Sequence, residues 1–382
     1  MITVDFKNKT LPLLGLGTMR FPLKDGSTNA ADIDEDKVAD MIAYAMENGV
    51  NYFDTAYPYH ASQSEIVLGK ILKDYPREAY YLATKFPGHQ ILSSYDPEAV
   101  FEDQLKKCGV EYFDFYLLHN VYEDSIKIYN DERWGIIDFF VKQKELGRIK
   151  HLGFSSHGGC DLLREFLSQH GDKMEFCQIQ LNYVDWSLQD AKIKCDILKE
   201  YDIPVWVMEP VRGGKLANLS NEAVSMLKSL NSERTNAEWA FRWLQGIDNV
   251  KMILSGMSNM EQLLDNTSYM KSFVPLTEEE KKKALMAGEM INGAIRIPCT
   301  ACQYCTADCP MNIAIPEYFA LYNQKMREDV EASSASKEAY RDLCTERGKA
   351  SDCIECGQCE SKCPQHIEIV KWLKDVKDTL EV

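Results

Sequence analysis

Tyr80-Tyr81-Leu82-Ala83-Thr84-Lys85, then Pro97 to Cys108, then Phe113-Asp114-Phe115-Tyr116-Leu117-Leu118-His119 is the stretch from which the fold is read. Its outer pieces are short and mostly apolar, as strands covered on both faces are. The middle piece has the length and spacing of a helix. Strand, helix, strand over some forty residues is a β–α–β unit, and such units build parallel sheets.

The same alternation runs outward in both directions. Further strands are expected at Leu13–Thr18, Tyr52–Thr55, His151–Ser155, Cys177–Asn182, Val205–Glu209 and Lys251–Ser255. Between them lie helical segments at Asp36–Asn48, Ser64–Leu72, Trp134–Leu146, Asp161–Gln169, Leu188–Glu200 and Asn236–Leu244, with an eighth, Met260–Tyr269, after the last strand. Val38, Met41, Ile42 and Ala45 show the three-and-four spacing of a buried helix face, and Asn48-Gly49 and Leu146-Gly147 are stop signals. Eight such units over about 260 residues predict an α/β fold, a (β/α)8 barrel of the TIM type. A doubly wound open sheet is the rival, but Gly15-Leu16-Gly17 is not followed by the G-x-G-x-x-G pattern common in that fold.

After the last unit comes a linker helix near 277–293, where Thr277 and Glu280 have the spacing of a capping box. Then the chain changes character. Cys299-x2-Cys302-x2-Cys305-x3-Cys309-Pro310 is repeated as Cys353-x2-Cys356-x2-Cys359-x3-Cys363-Pro364. This 2-2-3 spacing closed by proline is the bacterial ferredoxin pattern for [4Fe–4S] clusters. In two-cluster ferredoxins the fourth cysteine of each run crosses over. Cys299, Cys302, Cys305 and Cys363 would then hold one cluster, and Cys353, Cys356, Cys359 and Cys309 the other. Four-cysteine zinc sites also use CxxC pairs and stand as the alternative. The interval 310–352 exceeds what a minimal ferredoxin needs, so an inserted helical segment is expected there. It includes the polar stretch 331–340. A final amphipathic helix is expected at Glu368–Leu380. The domains read as 1–275 for the barrel, 276–297 for the linker and 298–382 for a small, mostly helical, ferredoxin-like domain.

Composition narrows the setting. The 382 residues are 45% hydrophobic and 27% charged, as in ordinary globular chains. A formal charge of −16 disfavours nucleic acid and acidic membrane as partners, since both need clustered Lys and Arg. No apolar run reaches the length of a membrane span, and Met1–Pro12 lacks a signal core. A cytoplasmic protein is expected, in which cysteines serve as metal ligands rather than disulfides. Cys108, Cys160, Cys177, Cys195 and Cys344 lie outside the two runs and read as small buried hydrophobes.

Barrel chemistry gathers at the carboxyl ends of the strands. There the second, third and fourth strands deliver Asp54, Lys85 and His119, and Tyr59 follows Asp54 in the adjoining loop. Taken singly, each has a plainer reading as turn former, solvated strand end or hydrogen-bonded structural group. Together they make a different case. A Lys at the end of so apolar a strand is expected to be partly buried and to need Asp54 as partner. A phenol beside it would have its pKa lowered and could act as a general acid.

These residues resemble the aldo-keto reductase superfamily over residues 1 to about 270. Asp54-Thr55-Ala56-x-x-Tyr59 followed by Ser64-Glu65, Ala83-Thr84-Lys85 and Leu117-Leu118-His119 are similar to its Asp–Tyr–Lys–His tetrad, in order. Gly153-Phe154-Ser155-Ser156-His157 resembles its Gly-Phe-Ser-Asn cofactor segment. Gln180 is similar to its nicotinamide-binding Gln, and Ser255-Gly256-Met257-Ser258 with Glu261, Gln262 and Asn266 to its pyrophosphate and adenosine loop. The resemblance implies NADPH or NADH extended across the barrel top, and a small carbonyl substrate or the corresponding alcohol. Tyr59 would be general acid, tuned by Lys85 and Asp54, with His119 orienting the carbonyl. Cofactor contacts would come from Gly17, Thr18 and Met19, from Ser155, Ser156 and Gln180, and from Met208 and Pro210. Gly256, Ser258, Gln262 and Asn266 would hold the far half.

Departures from the family pattern bear on the cofactor. Ser156 replaces the usual Asn, and Met208 stands where an aromatic often stacks on the nicotinamide. Gln262 and Gly256 align with the basic residue that often reads a 2′-phosphate, which weakens the case for NADPH. Arg212 or Lys215 could hold the pyrophosphate instead, unless their loop is only a solvated turn.

A subgroup of the superfamily resembles this chain in carrying a cluster tail. Hydride moves two electrons and a cubane one, and nothing in the chain indicates a flavin. One reading is therefore a nicotinamide-dependent reductase with structural or regulatory clusters. The other is a module exchanging electrons with a protein partner, the barrel being scaffold or donor.

Overall fold

The computed structural model describes residues 1–90, 92–306, 309–326 and 333–381. It opens with a hairpin, β1 (Thr3–Phe6) against β2 (Lys9–Pro12). Eight strands follow: β3 (Leu14–Gly17), β4 (Tyr52–Asp54), β5 (Tyr81–Phe86), β6 (Phe113–Val121), β7 (Ile149–Ser156), β8 (Cys177–Gln180), β9 (Val205–Met208) and β10 (Val250–Ser255). All are parallel, and β10 pairs with both β3 and β9, closing the barrel. Each expected strand is present. The register sets Gly17 beside Asp54, Asp54 beside Ala83, and Lys85 beside Leu117, so the polar strand ends lie at neighbouring levels on one rim.

The hairpin is absent from the sequence reading. Its Phe6 packs edge-on against Trp206, with ring centroids 4.9 Å apart, and near Phe115 and Phe176, inside the barrel. It plugs the end opposite the polar rim.

Local signals explain the helices. Asp96 accepts from the Ala99 amide at 2.9 Å, Pro97 stands in the first turn, and Gly109 ends helix Pro97–Cys108 in the left-handed region. Two expected helices are shorter than drawn. Gly135 (φ 54°) delays one start to Ile136, and Asp190 (φ 51°) delays the start of the helix expected at Leu188–Glu200 to Ala191, setting it apart from a short helix at Asp185–Leu188. The Thr277–Glu280 capping box opens helix Glu278–Ala294. This helix lies on the barrel, with Ala284 and Ala287 buried and Asn292 donating to the Val184 carbonyl at 3.0 Å. A Cβ on Gly288 would come within 2.6 Å of the Tyr183 carbonyl oxygen, so this helix approaches the barrel as only a glycine permits.

The last segment has its own core. Helices Ile315–Lys325, Ser333–Leu343 and Ile369–Leu380 pack through Tyr318, Phe319, Tyr340, Leu373, Val376 and Leu380. The helical insertion between the cysteine runs is therefore present. Residues 331 and 332 of its polar stretch lie outside the described residues. Among the described residues no helix is long and apolar enough to cross a membrane.

Candidate active site and cysteine cavities

The rim of the barrel opens into a cavity of about 1580 Å³, continuous with solvent. Asp54, Tyr59, Lys85 and His119 meet at one end of it. Lys85 donates to Asp54 Oδ1 at 2.6 Å and to the Thr55 carbonyl at 2.7 Å, with both charged side chains almost wholly buried. Its ammonium stands 5.0 Å from the centre of the Tyr59 ring, and the His119 ring meets that ring edge-on at 6.0 Å. Behind them Thr84 and Gln104 both donate to Glu65 Oε1, at 2.6 and 2.7 Å, and fix the end of β5. His60, Ala61 and Ser62 all have positive φ directly after Tyr59. The His60 ring bonds the Phe21 amide (3.1 Å) and the Ala30 carbonyl (2.8 Å), securing that bend.

One electrostatic expectation is overturned. The Tyr59 phenol is not shifted down towards neutrality. Burial, and then the Asp54 carboxylate, push its pKa above the ordinary phenol value. Lys85 is drawn down by burial against the upward pull of Asp54, and Asp54 is raised by burial against Lys85. Burial also holds His119 well below the usual imidazole value, and His89 at about 4. His89 and His119 lie 4.2 Å apart between ring centroids, and neither Nδ1 has a partner among the described residues.

From this end the cavity passes Gly17, Met19, Ser155, Met208 and Pro210 and reaches Gly256, Ser258, Gln262 and Asn266. The remaining expected contacts fall elsewhere. Thr18 is buried with its hydroxyl 2.7 Å from that of Ser64, and the Ser156 hydroxyl donates to the Val121 carbonyl at 2.7 Å. Gln180 donates to Asp185 Oδ2 at 2.7 Å and accepts from Gln365 at 2.9 Å. Arg212 is fully buried on Asp185, its Nε 3.0 Å from Oδ1, because its loop turns inward. Lys215 donates to the Cys299 carbonyl. Neither cation faces the cavity, so the pyrophosphate role expected of them is withdrawn.

Besides Lys85 and Lys362, the cavity is lined by Arg20, 3.4 Å from Glu209 and lying over Gly256. It follows Met19 by one position, and no spacing rule singles it out.

The cysteine-rich domain forms part of the cavity wall through Thr300, Cys302, Tyr304, Lys362, Pro364 and Gln365. The Tyr304 phenol reaches hydrogen-bonding range of Tyr59 and stands 3.7 Å from the Met19 sulfur. Arg20 points to the carbonyls of Thr300 and Ala301, at 3.5 and 3.4 Å. The cysteines line two smaller cavities, of about 320 and 330 Å³. Cys299, Cys302, Cys305 and Cys363 share the first; Cys309, Cys353, Cys356 and Cys359 share the second. Each takes three thiols from one run and one from the other. Four thiols around one apolar hollow fit an iron–sulfur cube. Among the described residues no three Cys, His, Asp or Glu close on a single ion. Of the other cysteines, Cys108, Cys177 and Cys195 are buried; Cys160 and Cys344 are half-buried.

The comparisons agree with this division. Residues 13–284 match the family model described as "Aldo/keto reductase family", and residues 298–368 the one described as "4Fe-4S dicluster domain". The chain is similar to "Probable aldo-keto reductase 1" of Glycine max, 32% identical over 195 residues, or 48% of this chain and 51% of that one. It is similar to "NADH-specific methylglyoxal reductase" of Escherichia coli, 25% identical over 224 residues, or 54% and 66%. The chain thus spans between half and two thirds of these relatives. An aldo-keto reductase structure from Bacillus halodurans shares the barrel with a TM-score of 0.61 at 23% identity, covering 75% of this chain and 96% of that one. With the family match running through all eight strands of the closed barrel, the chain belongs to the aldo/keto reductase family and carries a 4Fe-4S dicluster domain after its barrel.

Proposed function

We propose that the protein reduces a small aldehyde or ketone, or oxidises the alcohol, where Asp54, Tyr59, Lys85 and His119 converge. That convergence on one end of a long cavity carries the reading. A bound nicotinamide would supply hydride to the carbonyl carbon. Tyr59 gives its proton to the carbonyl oxygen as charge builds there. Its raised pKa keeps that proton in place beforehand, which is the state a reduction needs. Neutral His119 orients the oxygen. Lys85, pinned by Asp54, sets a positive charge beside the phenolate that forms. Gly17, Ser155 and Met208 would flank the nicotinamide. Gly256, Ser258, Gln262 and Asn266 would hold the rest of the nucleotide, with Arg20 in place of Arg212 and Lys215.

The test uses methylglyoxal as the probe, with NADH and NADPH each in turn. Tyr59→Phe is expected to lower kcat by about 10²–10⁴ while nucleotide binding is kept, the usual range for loss of a general acid. An unchanged kcat would remove Tyr59 from the chemistry.

In the dicluster domain, Cys299, Cys302, Cys305 and Cys363 would hold one cube, a reading supported by the cavity that they line together. Cys309, Cys353, Cys356 and Cys359 would hold the other, for the same reason. One observation favours a second reading, electron exchange with a protein partner: Cys302 borders both the catalytic cavity and the first cysteine cavity, and Cys356 is exposed. Failure of the dithionite-reduced protein to reduce an added ferredoxin would dismiss it.

A further inference from the structure

We infer that Tyr304, although it belongs to the cysteine-rich domain, is a positioning residue for the reaction of the barrel. Its hydroxyl donates to the Tyr59 oxygen, aims the Tyr59 proton at the substrate and steadies the phenolate left behind. This rests on the reductase reading above. In that reaction the Tyr59 O–H bond breaks and its proton goes to the carbonyl oxygen, while Tyr304 keeps its own proton throughout.

Tyr304 lines the catalytic cavity together with Tyr59, Lys85 and His119. Its hydroxyl has two acceptors in reach, the Tyr59 oxygen and the Met19 sulfur at 3.7 Å. A thioether is the weaker acceptor, so the phenol oxygen takes the hydrogen. Tyr59 then has its own hydrogen free for a substrate. Lys85 has less to give Tyr59 than its charge suggests. It already donates to Asp54 Oδ1 at 2.6 Å and to the Thr55 carbonyl at 2.7 Å. Burial and then Asp54 keep the proton on Tyr59; against them Tyr304 pulls towards the phenolate, ahead of Arg20.

The loop that presents Tyr304 is held from both sides. On the barrel side Arg20 points to the Thr300 and Ala301 carbonyls at 3.5 and 3.4 Å, and Lys215 donates to that of Cys299. On the other side Cys302 and Cys305, which flank Tyr304, both line the first cysteine cavity. Ala301 and Gln303 have φ of 55° and 68°. Residues with a Cβ resist this left-handed conformation, and it persists where the surrounding structure enforces it, often at a functional site.

The test compares Tyr304→Phe with the unaltered full-length protein, both purified anaerobically, using methylglyoxal as substrate with NADH and NADPH each in turn. The change removes one oxygen and leaves the ring in the cavity wall. Loss of one hydrogen bond to a charged group is expected to lower kcat about tenfold to a hundredfold, with KM, nucleotide affinity and iron content within about twofold. In a Tyr59→Phe background the same change is expected to slow turnover no further, since Tyr304 acts through Tyr59. An unchanged kcat overturns the inference. So does a fall matched by an equal loss of nucleotide affinity or iron, which marks a wall residue, and so does a full further fall in the Tyr59→Phe background. If Tyr59→Phe by itself leaves turnover intact, the reductase reading falls and the inference with it.

Discussion

His89 and His157 show what burial does to single residues at this site. Their imidazoles are held at about 4 and about 3, against 6.5 for a free histidine, because the folded protein disfavours their charged form. Above pH 6.5 both the folded and unfolded chains carry them neutral, and they leave stability unchanged. Below it the unfolded chain takes up protons that the folded chain refuses, so stability falls as pH drops from 6.5 towards 4. Thermal midpoints from pH 7.5 to 4.5 are expected to decline, and His89→Gln to flatten the decline; equal slopes in the two proteins would place the titrating groups elsewhere. At this scale the sequence revealed the Lys85–Asp54 pair, because an ammonium closing an apolar strand has to find an anion. It misled on Tyr59, since proximity to Lys85 was legible but the depth of burial was not. It misled on Arg212 too, where a glycine-rich loop read as exposed turns its guanidinium inward onto Asp185.

Among elements, the barrel strands and most helices follow their local signals closely, and helix Pro97–Cys108 ends where Gly109 dictates. The β1–β2 hairpin escaped notice because it is short and packs by tertiary contact, through Phe6 and Leu11, rather than by an extended periodic pattern. The glycine pair Gly213-Gly214 separates two kinds of constraint. Both have positive φ, at 63° and 88°. Around Gly214 nothing lies within 4 Å of an added Cβ, whereas at Gly213 that carbon would run into the Thr300 carbonyl oxygen of the cysteine loop. Gly214→Ala should therefore cost only backbone strain, about 1 kcal/mol. Gly213→Ala should cost clearly more and lower the iron content as well, by displacing the loop that begins at Cys299. Thermal unfolding alongside iron analysis checks both; equal effects of the two changes would show that the loop yields freely.

For the whole molecule, the sequence revealed two parts but not how they meet. Nothing in the spacing of the cysteines tells that Tyr304 reaches Tyr59, that Gln365 bonds Gln180, or that Arg20 serves both halves, since these contacts join residues hundreds of positions apart. The division of cysteines between the two cavities makes the parts separately addressable. Cys363→Ser is expected to deplete iron from the cavity bordering the catalytic site and to reduce carbonyl turnover, by loosening the Thr300–Tyr304 wall. Cys309→Ser is expected to deplete the other cavity with a smaller effect on turnover. Iron content, electron paramagnetic resonance and turnover distinguish the two, and identical losses would mean that the cavities fill only together. The helix Glu278–Ala294 then acquires a meaning beyond connection. It is seated by its capping box and by Gly288 against Tyr183, and the cysteine loop that borders the rim begins five residues after its end, at Cys299. An α-helix turns about 100° and advances about 1.5 Å with each residue. Removing one residue after Gly288 would swing everything that follows by more than a quarter circle and carry Tyr304 off the active site. That helix works as a measured spacer, and its phase as much as its length is under constraint.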